Sequence, residues 1–209
     1  IGVIVDGIPA GTQIDIDRIS KDLEKRKPND IGTTLRRESD EFSITSGLFN
    51  GFSTGAPMHM MIENKDIQSK DYLNLVDQPR PGHADFVAQK KYKGYQDFRG
   101  GGHFSGRLTA ALVVAGSIAK MMLPYAFSHQ IKKIGSCENM DHVDEYLQQV
   151  IAEKDSVGGI IELTVSQMDI GLGEPFFNKL DAGIAKMMFS IPAVKGVEFG
   201  IGFSGIDQM

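Results

Sequence analysis

The stretch from residue 109 to residue 123 most strongly constrains how this chain can fold. It is built mainly from Ala, Val, Leu, Ile and Met, contains Lys120 as its one charged residue, and ends before Pro124. A helix that is apolar on nearly all sides is stable only when other elements cover it. The sequence therefore predicts a buried helix here, followed by a stop at the proline.

The remaining patterns mix strands and helices without strict alternation. Asp15 is placed to cap a helix that carries Ile16, Ile19 and Leu23 on one face and ends before Pro28. Strands are predicted over residues 1–6, 42–49, 57–62, 159–168 and 194–203. Further helices are predicted over residues 142–153 and 180–189, with Ala182, Ile184, Ala185 and Met188 facing inward in the second. This order favours an α+β layered fold, with residues 1–209 as a single domain.

Methionine pairs occur at three places, and we interpret them as core filling. The positions are Met60, Met61, Met121, Met122, Met187 and Met188.

Composition excludes several classes of protein. The formal net charge is −5, which argues against a nucleic-acid-binding surface. No apolar run reaches the length of a membrane span, and Cys137 is the single cysteine, without zinc-like spacing around it. We therefore expect a cytoplasmic protein with no membrane, nucleic-acid or metal partner.

Residues 80–109 combine several side chains that can bind anions or transfer protons. They read RPGHADFVAQKKYKGYQDFRGGGHFSGRLT, with arginines, histidines and aspartates around three successive glycines. Glycines ahead of a helix allow a ligand to approach the backbone closely, and arginine supplies paired donors for phosphate or carboxylate. A flexible turn with structural histidines is the alternative interpretation of the same pattern. On the first interpretation, the segment binds a small molecule with several negative charges.

Four collinear blocks resemble the chorismate synthase family. Residues 80–86 read RPGHADF and resemble its RPGHADY block, and residues 102–109 read GHFSGRLT, ahead of the apolar stretch. Residues 171–175 read GLGEP, and residues 190–196 read SIPAVKG. The opening VDGIPAG at residues 5–11 and KRKP at residues 25–28 follow the same order. The resemblance covers essentially the whole chain.

The resemblance implies a β-α-β sandwich-like α+β fold and a shikimate-pathway lyase. Members of the family convert 5-enolpyruvylshikimate 3-phosphate to chorismate by a 1,4-anti elimination of phosphate and a C6 hydrogen. They require reduced FMN although the reaction has no net redox change. NADPH as a possible reductant and a homo-oligomer, usually a tetramer, are further implications.

Roles carry over from the family position by position. His83 matches a histidine proposed to act as an acid near the flavin. Arg80 and Arg107 match arginines that hold the anionic groups of the substrate, and Arg26 matches a basic residue associated with substrate or NADPH phosphate. The flavin contacts fall at His103, Phe104 and Ser105. Asp85 and Arg99 either orient the arginine clamp or pair with neighbours.

The chain departs from the family pattern at three places. Residues 103–107 read HFSGR where many members have RSSAR. The GESHG block, with a second proposed catalytic histidine, would precede Ile1, and an RHDP-like block would follow Met209. We therefore expect part of a longer protein, incomplete at both ends. A relative that binds FMN or another anion without turnover, and a noncatalytic RNA- or anion-binding module, are the alternatives.

Overall fold

The predicted mixture of helices and strands is present in the computed structural model, which describes residues 1–28, 31–33, 39–64, 78–97 and 101–208. The helices in these ranges are α1 (Ile16–Glu24), α2 (Asp85–Lys91), α3 (Thr109–Met122), α4 (Val143–Ala152) and α5 (Leu180–Phe189). The strands are β1 (Gly2–Val5), β2 (Phe42–Ser46), β3 (Leu48–Phe49), β4 (Phe52–Ser53), β5 (Met58–Ile62), β6 (Ala126–Ile134) and β7 (Gly159–Ser166). The fold is α+β, as the sequence indicates.

The chain forms two compact units. The first unit comprises Ile1–Lys65 and Ala110–Met168, and the second comprises Asp66–Thr109 and Asp169–Met209. Each unit therefore combines two separate stretches of sequence. That residues 1–209 are one domain stays a prediction, and the units are described separately below.

A three-stranded antiparallel sheet organises the first unit, with the order β1-β5-β2. Strand β5 lies in the middle, and its Met58, Met60 and Ile62 are buried. The residues between them, His59 and Met61, lie on the opposite face, since side chains alternate along a strand. The sheet therefore presents one apolar face to the core.

Two helices share one apolar cluster with this sheet face. Ile19 and Leu23 of α1 are buried there, and Asp15 caps α1 by accepting a hydrogen bond from the Arg18 backbone N–H at 2.9 Å. Helix α3 contributes the buried side chains Ala110, Val114 and Ile118. Full burial of each large aliphatic side chain contributes about 1.5–3 kcal/mol, so this cluster dominates the stability of the unit. The predicted buried helix and the predicted cap are confirmed.

A charged cluster ties α1 to α3 at the edge of the core. The Asp22 carboxylate accepts hydrogen bonds from Lys120 Nζ at 2.6 Å and from Lys25 Nζ at 3.1 Å. Burial alone would raise the pKa of Asp22, but the two lysines and Ser117 outweigh it and lower the pKa to about 2. Lys120, the single charge of the apolar helix, is thus neutralised by a neighbouring helix.

The predicted strand over residues 42–49 is wrong in one respect, because it is broken in two at Gly47. Gly47 has a φ of +80°, and a Cβ atom there would lie 2.5 Å from Met58 Cα. Only glycine permits both this conformation and this approach of the backbone. The chain therefore ends β2 at Ser46 and starts β3 at Leu48, which pairs with β4.

Strand β6 was missed from the sequence, and it pairs with β7 in a two-stranded antiparallel sheet. The register places Phe127 opposite Val165 and Ile131 opposite Ile161 on one face. The other face is polar and pairs Gln130 with Glu162. Residues 127–131 read FSHQI, with three consecutive polar residues, so apolar–polar alternation gave no strand signal here.

In the second unit, α5 has the inward face that the sequence predicts. Ala182, Ile184, Ala185 and Met188 are the less exposed residues of this helix, whereas Met187 is 55% exposed. Met61 and Met122 are also exposed, so core filling is wrong for these three methionines. Helical periodicity identified the inward face, but residue type alone did not identify burial.

The predicted strand over residues 194–203 is wrong. The described chain there is irregular and leads into a 3-10 helix, Gly202–Asp207. Ala193, Gly200 and Gly202 have φ values of +70°, +61° and +53°, which no strand residue adopts. The glycines that we interpreted as punctuation within a strand instead lie in irregular chain and at the start of the 3-10 helix.

No helix among the described residues is both long enough and apolar enough to cross a membrane.

We predict that Asp22→Asn lowers the free energy of unfolding by about 2 kcal/mol at pH 7, because a carboxylate with a depressed pKa stabilises the folded state above its unfolded-state pKa. The contribution of Asp22 is complete above about pH 4 and disappears as the pH falls to about 2. Urea unfolding at several pH values measures both effects. The gap between the wild type and Asp22→Asn should close over this range, whereas the exposed Asp17→Asn should cost less than about 1 kcal/mol at pH 7. A gap that persists at pH 2 would contradict the assignment.

Candidate functional site

The second unit contains a tight turn built by Arg80, Pro81, Gly82 and His83. The His83 backbone N–H donates to the Arg80 carbonyl at 3.3 Å, and Gly82 has a φ of +73°. Proline at the second position and a positive φ at the third define a type II turn, where glycine is favoured. No atom lies within 4 Å of a Cβ built on Gly82, so glycine is required by conformation and not by packing.

An ion pair closes this turn. Asp85 accepts hydrogen bonds from Arg80 Nε at 2.8 Å, from Arg80 Nη2 at 3.0 Å and from the Arg80 backbone N–H at 3.1 Å. The hydrogen bond from the guanidinium holds the pKa of Asp85 below its ordinary value. Asp85 thus pairs with Arg80, which is itself a predicted substrate arginine, so both alternatives for Asp85 stay predictions.

His83 is exposed on this turn, and its ring is oriented by the loop itself. The Nδ1 atom lies 3.2 Å from the Pro81 carbonyl oxygen. A carbonyl can only accept, so this contact requires a proton on Nδ1. The turn therefore orients the ring through Nδ1, and Nε2 is the ring nitrogen that remains for a proton-transfer role.

A cavity of about 430 Å³ lies beside the turn, within the second unit. Helix α2, which starts at Asp85, forms one wall, and the segment from Gly101 to Phe104 forms another. The lining residues are Asp85, Ala88, Tyr92, Tyr95, Gln96, Asp97, Gly101, Gly102, His103, Phe104 and Leu108. Aromatic, amide and carboxylate groups are all present, so the wall offers both stacking and hydrogen-bonding partners.

The segment ahead of α3 folds as two successive 3-10 turns, Gly102–Phe104 and Gly106–Leu108. Ser105 joins them, and its Oγ accepts a hydrogen bond from the Arg107 backbone N–H at 3.2 Å. A Cβ on Gly101 would lie 2.9 Å from Ser105 Cβ and 3.0 Å from Ser105 Cα. The absence of a side chain at Gly101 is what lets the chain fold back on Ser105.

The structure brings two of the three predicted flavin residues to the cavity. His103 and Phe104 line it, and the Phe104 ring is 44% exposed. Ser105 follows directly and is partly buried. Arg107 lies two residues further on, and its Nε and Nη2 atoms are shielded from solvent. Flavin binding by these residues and substrate binding by Arg107 stay predictions.

Arg26 belongs to the first unit, where its Nη1 atom lies 3.0 Å from Oδ2 of Asp40. The Asp40 side chain is only 2% exposed, so the arginine compensates a buried carboxylate. Arg26 is therefore held in place by a structural ion pair, and its contact with substrate or NADPH phosphate stays a prediction. Arg99 lies outside the described residues.

Sequence reasoning missed α2 and the cavity residues that it carries, among them Tyr92 at its end. The signal was present, since Asp85 begins this helix and Lys90 and Lys91 end it, in the order that the helix dipole favours. The apolar pattern was too short to separate from a loop. Gln96 gave no signal, because a single amide has no characteristic spacing.

Comparison with known proteins identifies the family. A sequence model of the chorismate synthase family matches residues 1–209. The chain belongs to the chorismate synthase family. It is 50% identical over 206 residues to a chorismate synthase of Chitinophaga pinensis and 42% identical over 226 residues to one of Thermococcus kodakarensis. These matches cover 98% and 97% of the chain but 61% and 64% of the relatives, so the chain spans somewhat less than two thirds of their length.

A solved structure has the same fold. The crystal structure of a chorismate synthase superposes with a TM-score of 0.75 at 24% sequence identity, covering 100% of this chain and 67% of that one. At this identity the similarity concerns the fold. It confirms the α+β architecture of the chorismate synthase type.

We predict that Gly101→Ala disrupts the 3-10 turns and lowers the thermal midpoint, because its Cβ would overlap Ser105. Overpacking of this kind costs about 1–3 kcal/mol. Gly106→Ala is the matched control, since no atom lies within 4 Å of a Cβ at that position and no positive φ is present. Differential scanning calorimetry of both variants measures the effect. Equal midpoints for the two variants would show that the Gly101–Ser105 approach is not needed.

Proposed function

We propose that the full-length protein is a lyase that converts 5-enolpyruvylshikimate 3-phosphate to chorismate and phosphate with reduced FMN. The observation that carries the proposal is the family match along residues 1–209. Residues 80–86 and 102–109 lie in one unit and contribute to one cavity, which supports a ligand site there.

The residues around the cavity fit a flavin. The partly exposed Phe104 offers an aromatic stacking surface, and His103 offers an imidazole for hydrogen bonding. Ser105 follows directly, and its hydroxyl, which accepts from the Arg107 backbone N–H, is proposed as a third contact. Gly101 and Gly102 expose backbone at the cavity wall, which permits close approach of a planar ring. Reduced FMN, when bound, supplies electron density to the substrate ring as phosphate leaves.

The remaining chemistry falls to the side chains of this chain. His83 acts as the acid through Nε2, because the Pro81 carbonyl fixes the ring through Nδ1. The substrate carries two carboxylates and a phosphate, and arginine binds such groups through paired N–H donors. Arg107 and Arg80 are the residues of the second unit proposed for this role, and Arg26 of the first unit is proposed for substrate or NADPH phosphate.

Three finer points stay predictions from the family resemblance: a homotetramer, reduction of the flavin by NADPH, and a cytoplasmic location.

An anaerobic assay with the full-length protein and chemically reduced FMN tests the proposal. We expect chorismate to form from 5-enolpyruvylshikimate 3-phosphate, with no product when the flavin is oxidised. The control is the same mixture without protein. Tight binding of FMN without product would identify a relative that has lost turnover. Absence of flavin binding, together with salt-dependent binding of RNA, would favour the noncatalytic alternative.

We predict that His83→Ala lowers kcat on the order of 100-fold, as loss of a general acid does. FMN affinity should change less than about 3-fold, because His83 lies on the turn and not on the 101–105 segment. The matched control is His142→Ala, which removes an exposed imidazole whose Nδ1 lies 3.7 Å from a Glu145 oxygen. Stopped-flow turnover and fluorescence titration with FMN measure the two quantities. An unchanged kcat in His83→Ala would remove the acid role.

A further inference from the structure

We propose that Asp85 is a positioning residue: its carboxylate, held in the Arg80 fork, fixes the loop of residues 80–85 in the conformation that presents His83. The catalytic part of this inference rests on the proposed function, in which His83 acts as an acid. Asp85 also lines the cavity, but its proposed role is exerted through the loop.

Three hydrogen bonds from Arg80 converge on the Asp85 carboxylate. Asp85 accepts from the Nε, Nη2 and backbone N–H groups of Arg80, at 2.8, 3.0 and 3.1 Å. A side-on fork of this kind fixes direction as well as distance, since both guanidinium donors must stay in the plane of the carboxylate. The two ends of a six-residue loop are thereby joined by both side-chain and backbone contacts.

His83 depends on this loop for its orientation. Among the described residues, both hydrogen bonds of His83 end within the loop, from its backbone N–H to the Arg80 carbonyl and from Nδ1 to the Pro81 carbonyl. His83 is exposed, so packing contributes little to holding the ring. The type II turn sets the backbone of Pro81 and Gly82, and the ion pair holds its two flanks together. Loss of the ion pair would remove both guanidinium hydrogen bonds that join these flanks.

The charge and the two oxygens of the Asp85 carboxylate define the variant to make. Asp85 is ionised at neutral pH because the hydrogen bond from Arg80 favours the charged form. Asn has nearly the same volume, but its amide offers one oxygen and one NH₂ group. The NH₂ group would face an arginine donor, so the fork cannot form with both of its hydrogen bonds. Asp85→Asn therefore opens the fork with minimal change in packing.

The test compares Asp85→Asn, His83→Ala and the double variant in the full-length protein, in the reduced-FMN assay. We expect Asp85→Asn to lower kcat on the order of 10-fold to 100-fold, as misplacement of a catalytic group does, with KM changed less than about 3-fold. In the His83→Ala background the same substitution should change kcat less than about 3-fold, because its effect passes through His83. The matched control is Asp181→Asn, an exposed aspartate in the first turn of α5 that should leave kcat unchanged.

Two kinetic results would overturn the inference. An unchanged kcat in Asp85→Asn would show that the fork does not position His83. A loss of the same size in the presence and absence of His83 would show that Asp85 acts on stability or on another group.

A second measurement is independent of turnover. Hydrogen–deuterium exchange at times of seconds, followed by mass spectrometry, reports on the peptide that contains residues 80–85. We expect faster exchange there in Asp85→Asn, with exchange elsewhere unchanged, because the Arg80 and His83 backbone N–H groups both lie in the closed loop. Unchanged exchange would overturn the inference even if the enzyme is active. If the wild type has no activity, the proposed function fails, and exchange alone then decides whether Asp85 holds the loop.

Discussion

Contact between α3 and the inner face of the three-stranded sheet is the interaction on which the first unit depends. Val114 and Ile118 share a cluster with Met58, Met60 and Ile62, and the side chains of α1 complete it. This burial is nondirectional, so it fixes which faces meet but not how far the helices slide. The Asp22 carboxylate supplies the direction, since it binds Lys120 of α3 from a position on α1. Apolar burial thus stabilises the unit, and the charged cluster aligns its helices.

Much of the fold could be predicted from the sequence, and the correct predictions share a physical basis. The capping Asp15, the apolar α3 and the inward face of α5 are local patterns, in which a few neighbouring residues determine the outcome. The failures depend on distant contacts. Gly47 splits a strand because Met58 approaches it across the sheet, and strand β6 forms because β7 lies beside it. Neither partner is adjacent in sequence, so a reading along the chain could not reveal them.

In the candidate site too, the sequence reveals residue types, whereas contacts between residues become visible only in the structure. Motif resemblance named His83, Arg80 and the residues from His103 to Ser105, since residue types alone carry that information. It could not show that Arg80 binds Asp85 or that His103 and Phe104 line a cavity with α2. Those facts are geometric. They change the roles available to a residue, because the guanidinium donors that bind Asp85 are not available to a substrate.

The turns ahead of α3 are held by backbone atoms. Phe104 N–H donates to the Gly101 carbonyl at 2.9 Å and Ser105 N–H to the Gly102 carbonyl at 3.2 Å, while the side chains of His103 and Phe104 remain exposed. The hydrogen bonds that form this turn therefore involve no side-chain atom of His103 or Phe104. Scaffold and cavity lining are separable here, since a substitution at 103 or 104 changes a side chain that lines the cavity and leaves in place the backbone hydrogen bonds that present it.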